Sequence, residues 1–421
     1  MNRFWLVAIF GLLLSFRPLL AQESAGLTGM DPGSLSWSNR SADAIQTVEW
    51  TPDLSSGTWY DSWNLLQDMA PSAGQRQQPI PMYYRVIGRP VATNIPAGGA
   101  LLVATSGTQT LYASLSNAYA AATAGDFIFL SGGAYTIGSF PIEKPDLTFV
   151  GIHPPAYDAT GRVFRSGTRW QGRVTINTTP GLRFLNIGFE DPVEGGDPFL
   201  CSGTSTNERR LYLYGCVFAG NGSNPHNAEF VGRDVQLDSC KSYNGRHNLA
   251  FKTTDLVLNH IYSYNGSLSG IILKGSTNVG DFANAHLNDI TLEGPPGALG
   301  AKGIQIEAFD AGSGASHIRI NRLRARRVNC AVYIWPHAGS DVNDIHVSDA
   351  ESRDCYGEDF ILQAGATNVT FMDCRAYNNQ VGKSFVNFGS AEVRLLQCTS
   401  SKPAGQRTFG LYKIAQVNGS L

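Results

Sequence analysis

The chain has 421 residues, 16% of them charged, with 46 glycines and a formal net charge of −2. That balance gives no bulk electrostatic reason to bind nucleic acid or an anionic membrane, and the length suits a stacked, turn-rich all-β chain better than one ordinary core. The seven cysteines show no Cys-x-x-Cys or Cys/His metal spacing.

Residues 1–21 read as a signal peptide: basic Arg3, an apolar run from Phe4 to Leu14, and small Ala21 before Gln22. The run is short for a bilayer span, and Arg17 and Pro18 interrupt it. No second apolar run follows. The mature chain is therefore expected to lack an integral membrane segment and to be secreted, periplasmic or on the cell surface.

Residues 31–90 are expected to form a small β-rich module. Its strands are Ile45-Gln-Thr-Val-Glu-Trp50 and Pro81-Met-Tyr-Tyr-Arg-Val-Ile87, with turns at Pro52, Gly57 and Pro71 to Gly74. With Gly57-Thr-Trp59, these residues resemble the short β-domain found ahead of catalytic or β-helical modules in secreted bacterial proteins. The resemblance implies a spacer or adhesive role. Trp37, Trp50, Trp59 and Trp63 are sugar-stacking candidates or its core. Residues 91–99, rich in Pro, Gly and Ala, read as a linker.

Leu111 to Ala122 has the alanine-rich amphipathic spacing of a helix. Apolar strands follow at Gly125-Asp-Phe-Ile-Phe-Leu130 and Leu147-Thr-Phe-Val-Gly151, around Gly133-Ala-Tyr135. From residue 211 one unit recurs: Leu211-Tyr-Leu-Tyr-Gly-Cys216, Val235-Gln-Leu-Asp-Ser-Cys240 and Leu256-Val-Leu-Asn-His-Ile261. Apolar residues fall at its first, third and sixth positions, and Asn221, Asn244 and Asn265, each before glycine, come shortly after. The pattern continues through Val393-Arg-Leu-Leu-Gln-Cys398. A period in the low twenties predicts stacked β-coils, whose strand edges pair only when the next coil is in place. An asparagine ladder at the turns follows from the amide's capacity to satisfy its neighbours. Cys216 with Cys240, and Cys374 with Cys398, share one inward position on adjacent coils, which predicts stacked small side chains, with a disulfide as the alternative.

The order helix, Ala-Gly-Asp turn, apolar strand, Gly-x-Tyr and strand ending in Gly resembles the start of the pectate-lyase-like single-stranded right-handed parallel β-helix of exported bacterial type. There the helix covers the open N-terminal end. The fold expected is all-β: a right-handed parallel β-helix, or pectin-lyase-like solenoid, over residues 100–421, with an N-terminal capping helix and a small separate N-terminal β-domain. Thr408 to Ala415 is expected to supply a last strand.

A second strand aligns in each coil: Asn248 to Lys252, Gly270 to Lys274, Gly303 to Glu307, Ala331 to Trp335 and Asp359 to Gln363. Side-chain alternation puts Lys252, Lys274, Glu307, Trp335 and Gln363 in one outward file, with Ala250, Ile272, Gln305, Tyr333 and Ile361 beside it. Loops carrying Asp255, Asp281, Asn284, Asp310, His337 and Asp341 form a polar rim. This combination suits an acidic polysaccharide as partner. Cleavage of a uronic-acid chain by a lyase needs a cation to neutralise the carboxylate and a base for the C5 proton. Lys252 or Lys274 fits either task, His337 fits acid or base work, and Glu307 completes the catalytic set. Asp281 and Asp310 are candidate ligands for Ca²⁺. Trp335, Tyr333, Arg246, His247, Tyr243 and Tyr264 are candidates for sugar contact. Hydrolysis would instead pair Glu307 with Asp310 or Asp281.

His226-Asn-Ala-Glu-Phe-Val-Gly232 and His247-Asn-Leu-Ala-Phe-Lys252 resemble paired coils of exported bacterial β-helix proteins, with His226, His247 and Lys252 at the matching positions. The Asn-x-Asp, Asp-Asp, Gly-His-Gly and Arg-x-Lys set of polygalacturonase-type hydrolases is absent, as are the Trp-x-Asp-His and Arg-x-Pro-x-x-Arg marks of the main pectate lyase family. The arginines from Arg319 to Arg327 read as charge pairing across strands, Arg324 with Glu351 and Arg326 with Glu293. The function expected is a polysaccharide lyase acting on a uronic-acid-containing chain. The alternatives are a non-catalytic glycan-binding or adhesion protein, or a glycoside hydrolase or epimerase on the same fold.

Overall fold

Apolar residues at a fixed period become files when each turn of chain lies directly above the last. The computed structural model describes residues 26–31, 34–38, 44–51, 83–90, 94–190, 196–204, 206–221, 225–296 and 301–419. The predicted leader, Trp59 and Trp63 lie outside these residues. The chain divides into two compact units, Met1–Asn94 and Ile95–Leu421. In the first, Ala44–Thr51 pairs antiparallel with Tyr83–Pro90, Val48 opposite Val86, and Gly26–Asp31 pairs with Ser34–Ser38. Among the described residues no helix is long and apolar enough to cross a membrane.

The second unit is a right-handed parallel β-helix of three sheets. In the first sheet Leu213, Leu237, Leu258, Leu287, Ile320, Val347 and Phe371 stand in file, each in parallel register with the next. Phe218, Ser242, Ser263, Leu292, Ala325, Ser352 and Ala376 form the second file. Phe230, Phe251, Leu273, Ile306, Ile334 and Leu362 form the third. All three point into one continuous buried core. Near the N-terminal end that core is aromatic: Phe184, Phe189, Phe199, Phe218, Phe230 and Phe251 touch in sequence, with Phe230 and Phe251 stacked at 5.0 Å.

The corners explain why three sheets arise where two strands per coil were expected. Single residues with φ near +55° turn the chain, among them Ser239, His260, Asp289 and Arg322 between the first and second sheets. Most such corner residues are Asp or Asn, whose short polar side chains tolerate the left-handed region. A one-residue corner without Gly or Pro hides the break, so the three-residue strands of the second sheet, such as Lys241–Tyr243, merge with their neighbours in the sequence pattern. One rung of the expected asparagine ladder is seen, with Asn265 Nδ2 donating to Asn244 Oδ1 at 2.8 Å, and a separate pair lies deeper in, where Asn227 Nδ2 donates to Asn248 Oδ1 at 3.1 Å.

Four further expectations are refined. The helix, α1, spans Leu115–Ala121 and does not begin at Leu111. Residues Gln109–Tyr112 join a strand against Ala100–Val103, and Ser114 Oγ caps the helix by accepting from Asn117 N at 3.2 Å. Its Leu115 and Ala118 are buried against the end of the coil stack. Cys216, Cys240, Cys374 and Cys398 are buried thiols. Arg324 lies beside Glu351 and Arg326 beside Glu293 as the alignment required. The guanidiniums, however, pair elsewhere: Arg324 with Asp349 at 3.2 Å, Arg326 with Asp354 at 3.5 Å, and Arg327 takes Glu293. At the other end the tail gives two short strands, Thr408–Phe409 and Ile414–Gly419.

Candidate functional site

The outer face of the third sheet carries the polar files. Lys274, Glu307 and Trp335 pair in register, in line with Lys252 one coil before, and Glu229, Ala250, Ile272, Gln305 and Tyr333 run alongside. A third file at the strand starts holds His226, His247, Ser269 and Lys302. His226, His247, Lys252, Lys274, Lys302 and Trp335 of these files line an open cleft of about 350 Å³ that also takes in Leu268 and Phe309. Coils spaced about 4.8 Å apart make a five-coil cleft about 20 Å long, running parallel to the solenoid axis.

Both lysines named from the sequence are ion-paired. Lys252 Nζ reaches Glu229 Oε1, and Lys274 Nζ lies 3.3 Å from Glu307 Oε1 and 3.7 Å over the Phe309 ring. Glu307 is only 3% exposed, and Gln305 Nε2 donates to its second oxygen at 2.6 Å. Ammoniums bound this way serve as fixed positive charges, not as bases. Lys302 differs. Its Nζ donates to Gln305 Oε1 at 3.3 Å and lies 4.2 Å from the Tyr333 ring centre and 5.3 Å from that of Trp335. It has no carboxylate partner among the described residues. Of the three ammoniums, Lys252 and Lys274 are paired with Glu229 and Glu307, and Lys302 sits beside the two aromatic rings.

The imidazoles are tuned in opposite directions. Burial works against a charged His226, yet hydrogen bonds to Asp197 and Glu229 raise its pKa above the ordinary value. Burial works against a charged Glu229 as well, but the hydrogen bonds and charges of His226 and Lys252 outweigh it and hold its carboxyl down at about 2. His247 is pushed to about 4 by burial first and then by His226, Arg246, Lys274 and Lys302, so it is neutral at physiological pH. Its Nδ1 lies 2.5 Å from the Oγ of fully buried Ser269, which fixes the ring and leaves the other nitrogen available.

Several expected roles are not supported by placement. Tyr243 belongs to the second sheet and is covered: the excursion spanning residues 155–167 lays Tyr157 against it at 6.3 Å, and Gly161, at φ +69°, leaves no room for a Cβ against the ring. Tyr264 follows in that sheet, and Arg246 is exposed at the bend before His247. Asp281 accepts from Gly314 N at 2.7 Å, and Asp310 from Thr277 N at 3.0 Å and Thr277 Oγ1 at 3.1 Å, so both pin loop backbone. Neither belongs to a cluster of three metal-ligating groups among the described residues. Asp255 and Asn284 are corner residues bonded to each other at 3.1 Å. His337 lies behind the cleft, stacked on Trp335 at 4.2 Å and against Phe309 at 4.8 Å, where it buttresses the indole.

Three contributors escaped the sequence reading. Lys302 and Glu229 stand in files whose later or earlier members were recognised, so extending the alignment by one coil and two residues finds them. Asp197, in a loop before the strand Phe199–Cys201, has no periodic signal.

No family model matches the chain, and no curated protein matches it. Solved structures with similar coils include the catalytic unit of a thermostable GH87 α-1,3-glucanase from Streptomyces thermodiastaticus (TM-score 0.39, 13% identity, 72% of this chain and 64% of that one). Tailspike protein 2 of Escherichia coli O157:H7 bacteriophage CAB120 overlaps at TM-score 0.36 and 12% identity, over 69% of this chain and 38% of its own. The A-module of the Azotobacter vinelandii mannuronan C-5 epimerase AlgE6 overlaps at TM-score 0.30 and 12% identity, over 73% of this chain and 94% of its own. This chain spans 56% of the Geobacillus virus E2 ORF18 protein, to which it is also similar. The activities in those names belong to those proteins, and the cleft here is read from its own residues.

Proposed function

We propose that this is an exported, carbohydrate-active protein that binds an acidic polysaccharide along the third sheet and cleaves it by elimination. The observation that carries the reading is Lys302, an ammonium without a carboxylate partner among the described residues, set against the faces of Tyr333 and Trp335. An apolar sugar face on the indole with its carboxylate on Lys302 matches that arrangement. Lys274, on the adjacent coil, supplies further positive charge for the enolate-like transition state. His247, neutral and anchored by Ser269, is the group suited to take the C5 proton; the C5–H electron pair then forms the C4=C5 double bond as the C4–O bond breaks, and the departing oxygen takes a proton from water. Hydrolysis is less well supported, because Glu307 is buried against Lys274 and Gln305 while Asp281 and Asp310 hold loops. Ca²⁺ remains a proposed accessory, tested by addition.

The test is incubation of the purified protein, with and without Ca²⁺, on a panel of acidic and neutral polysaccharides. The expected product is an unsaturated uronate, seen by its ultraviolet absorbance, on an acidic polymer alone, and Lys302→Gln is expected to slow its release by about tenfold or more. New reducing ends without unsaturation would make the protein a hydrolase. Retained binding without any product would make it a glycan-binding protein.

A further inference from the structure

At one end of the cleft, three side chains from two coils aim single atoms at one point. His226 Nδ1 lies 3.3 Å from Asp197 Oδ2 and 3.1 Å from Glu229 Oε2, and all three atoms fall within 4.8 Å of one another. Metal–ligand bonds of about 2.1 Å in a tetrahedral or octahedral shell place neighbouring donor atoms about 3.0–3.4 Å apart. The two separations from His226 Nδ1 are those of neighbouring donors in such a shell.

The remaining atom of each carboxylate is tied elsewhere, which keeps the facing oxygen aimed inward. Asp197 Oδ1 accepts from the backbone N–H of His226 at 2.9 Å, and Glu229 Oε1 holds Lys252. The His226 ring is set by stacking on His247, with centres 5.5 Å apart and planes at 23°. Outer contacts of this kind orient metal ligands in built sites. The ammonium of Lys252 occupies the opposite oxygen from the one the metal would use.

We propose that Asp197, His226 and Glu229 bind one divalent transition-metal ion of the Mn²⁺-to-Zn²⁺ class, with its open positions toward the cleft. One imidazole and two carboxylates make an intermediate donor set that suits these ions better than Ca²⁺, which takes six to eight oxygens. His226 lines the cleft, so the ion's remaining positions are open to water or to a hydroxyl or carboxylate of a bound ligand. Metal uptake itself needs no glycan and stands or falls apart from the elimination reading.

The full chain, stripped with a chelator, is titrated calorimetrically with MnCl₂, ZnCl₂ and CaCl₂ in the absence of glycan. One equivalent of Mn²⁺ or Zn²⁺ is expected to bind at least tenfold more tightly than Ca²⁺. Asp197→Asn keeps an acceptor for the His226 N–H, and it and His226→Ala are each expected to weaken binding tenfold or more. His317→Ala, at the exposed His317–Asp344 pair, is expected to bind as the parent does. Absence of a saturable one-equivalent site in the parent, or unchanged binding in both ligand variants, overturns the proposal. Should the variants fail to fold, spin-echo spectra of Mn²⁺ on the parent decide it: nitrogen coupling from one imidazole supports the site, and none refutes it.

Discussion

His247 shows how neighbours decide what a side chain can do. An unfolded histidine takes a proton near 6.5, whereas in the cleft burial and the surrounding cations delay this to about 4. Between those values the unfolded chain binds the extra proton, so His247 contributes stability that is complete above 6.5 and drains away as pH falls toward 4. His247→Gln is expected to flatten that leg by on the order of 1 kcal/mol, read from denaturant unfolding across the window. An identical pH slope in the variant would contradict the burial argument. Glu229 adds a separate loss below its ordinary 4.5, because its carboxylate is held down at about 2. The sequence placed Lys252, Lys274, Glu307 and Trp335 in their file because outward positions follow from strict alternation. It could not assign their chemistry. Whether a lysine is paired depends on Glu229 and Glu307 one coil away, and the loop residues Asp281 and Asp310 have no period from which to read their backbone contacts.

Strands and corners carry the stability of the scaffold. Phe251 is fully buried and stacks on Phe230, beneath the strand that presents Ala250 and Lys252 to the cleft. Phe251→Ala is expected to cost about 3–5 kcal/mol, seen as a lower unfolding midpoint. Asn265→Ala, which puts a Cβ without a polar group into a left-handed corner, is expected to cost about 1–2 kcal/mol. If the alanine corner cost more than the lost ring, the order of these effects would be wrong. The first and third sheets were legible because their inward residues recur as Leu, Ile, Val and Phe. The second was not, since its inward file holds Ser242, Ser263 and Ser352 and its strands are only about three residues long. The helix start is hidden for a similar reason: Leu111 and Tyr112 fit helical spacing, but they belong to a strand before the Ser114 cap.

Across the second unit the strands of each coil pair with those of the coils on either side, and the excursion of residues 155–167 reaches beyond them to Tyr243. A cleft spanning five coils is therefore a property of the stack, and no single repeat contains it. What the stack offers a ligand is a lengthwise track with Lys302, an ammonium without a carboxylate partner among the described residues, at the aromatic end. Charge recognition is open to one direct comparison: affinity for an acidic polysaccharide found to bind in the panel above, against the same polymer after chemical reduction of its carboxyl groups. Reduction is expected to weaken binding by about tenfold or more and to remove the effect of Lys302→Gln. Equal affinity for both polymers, with Lys302→Gln unchanged on either, would contradict it.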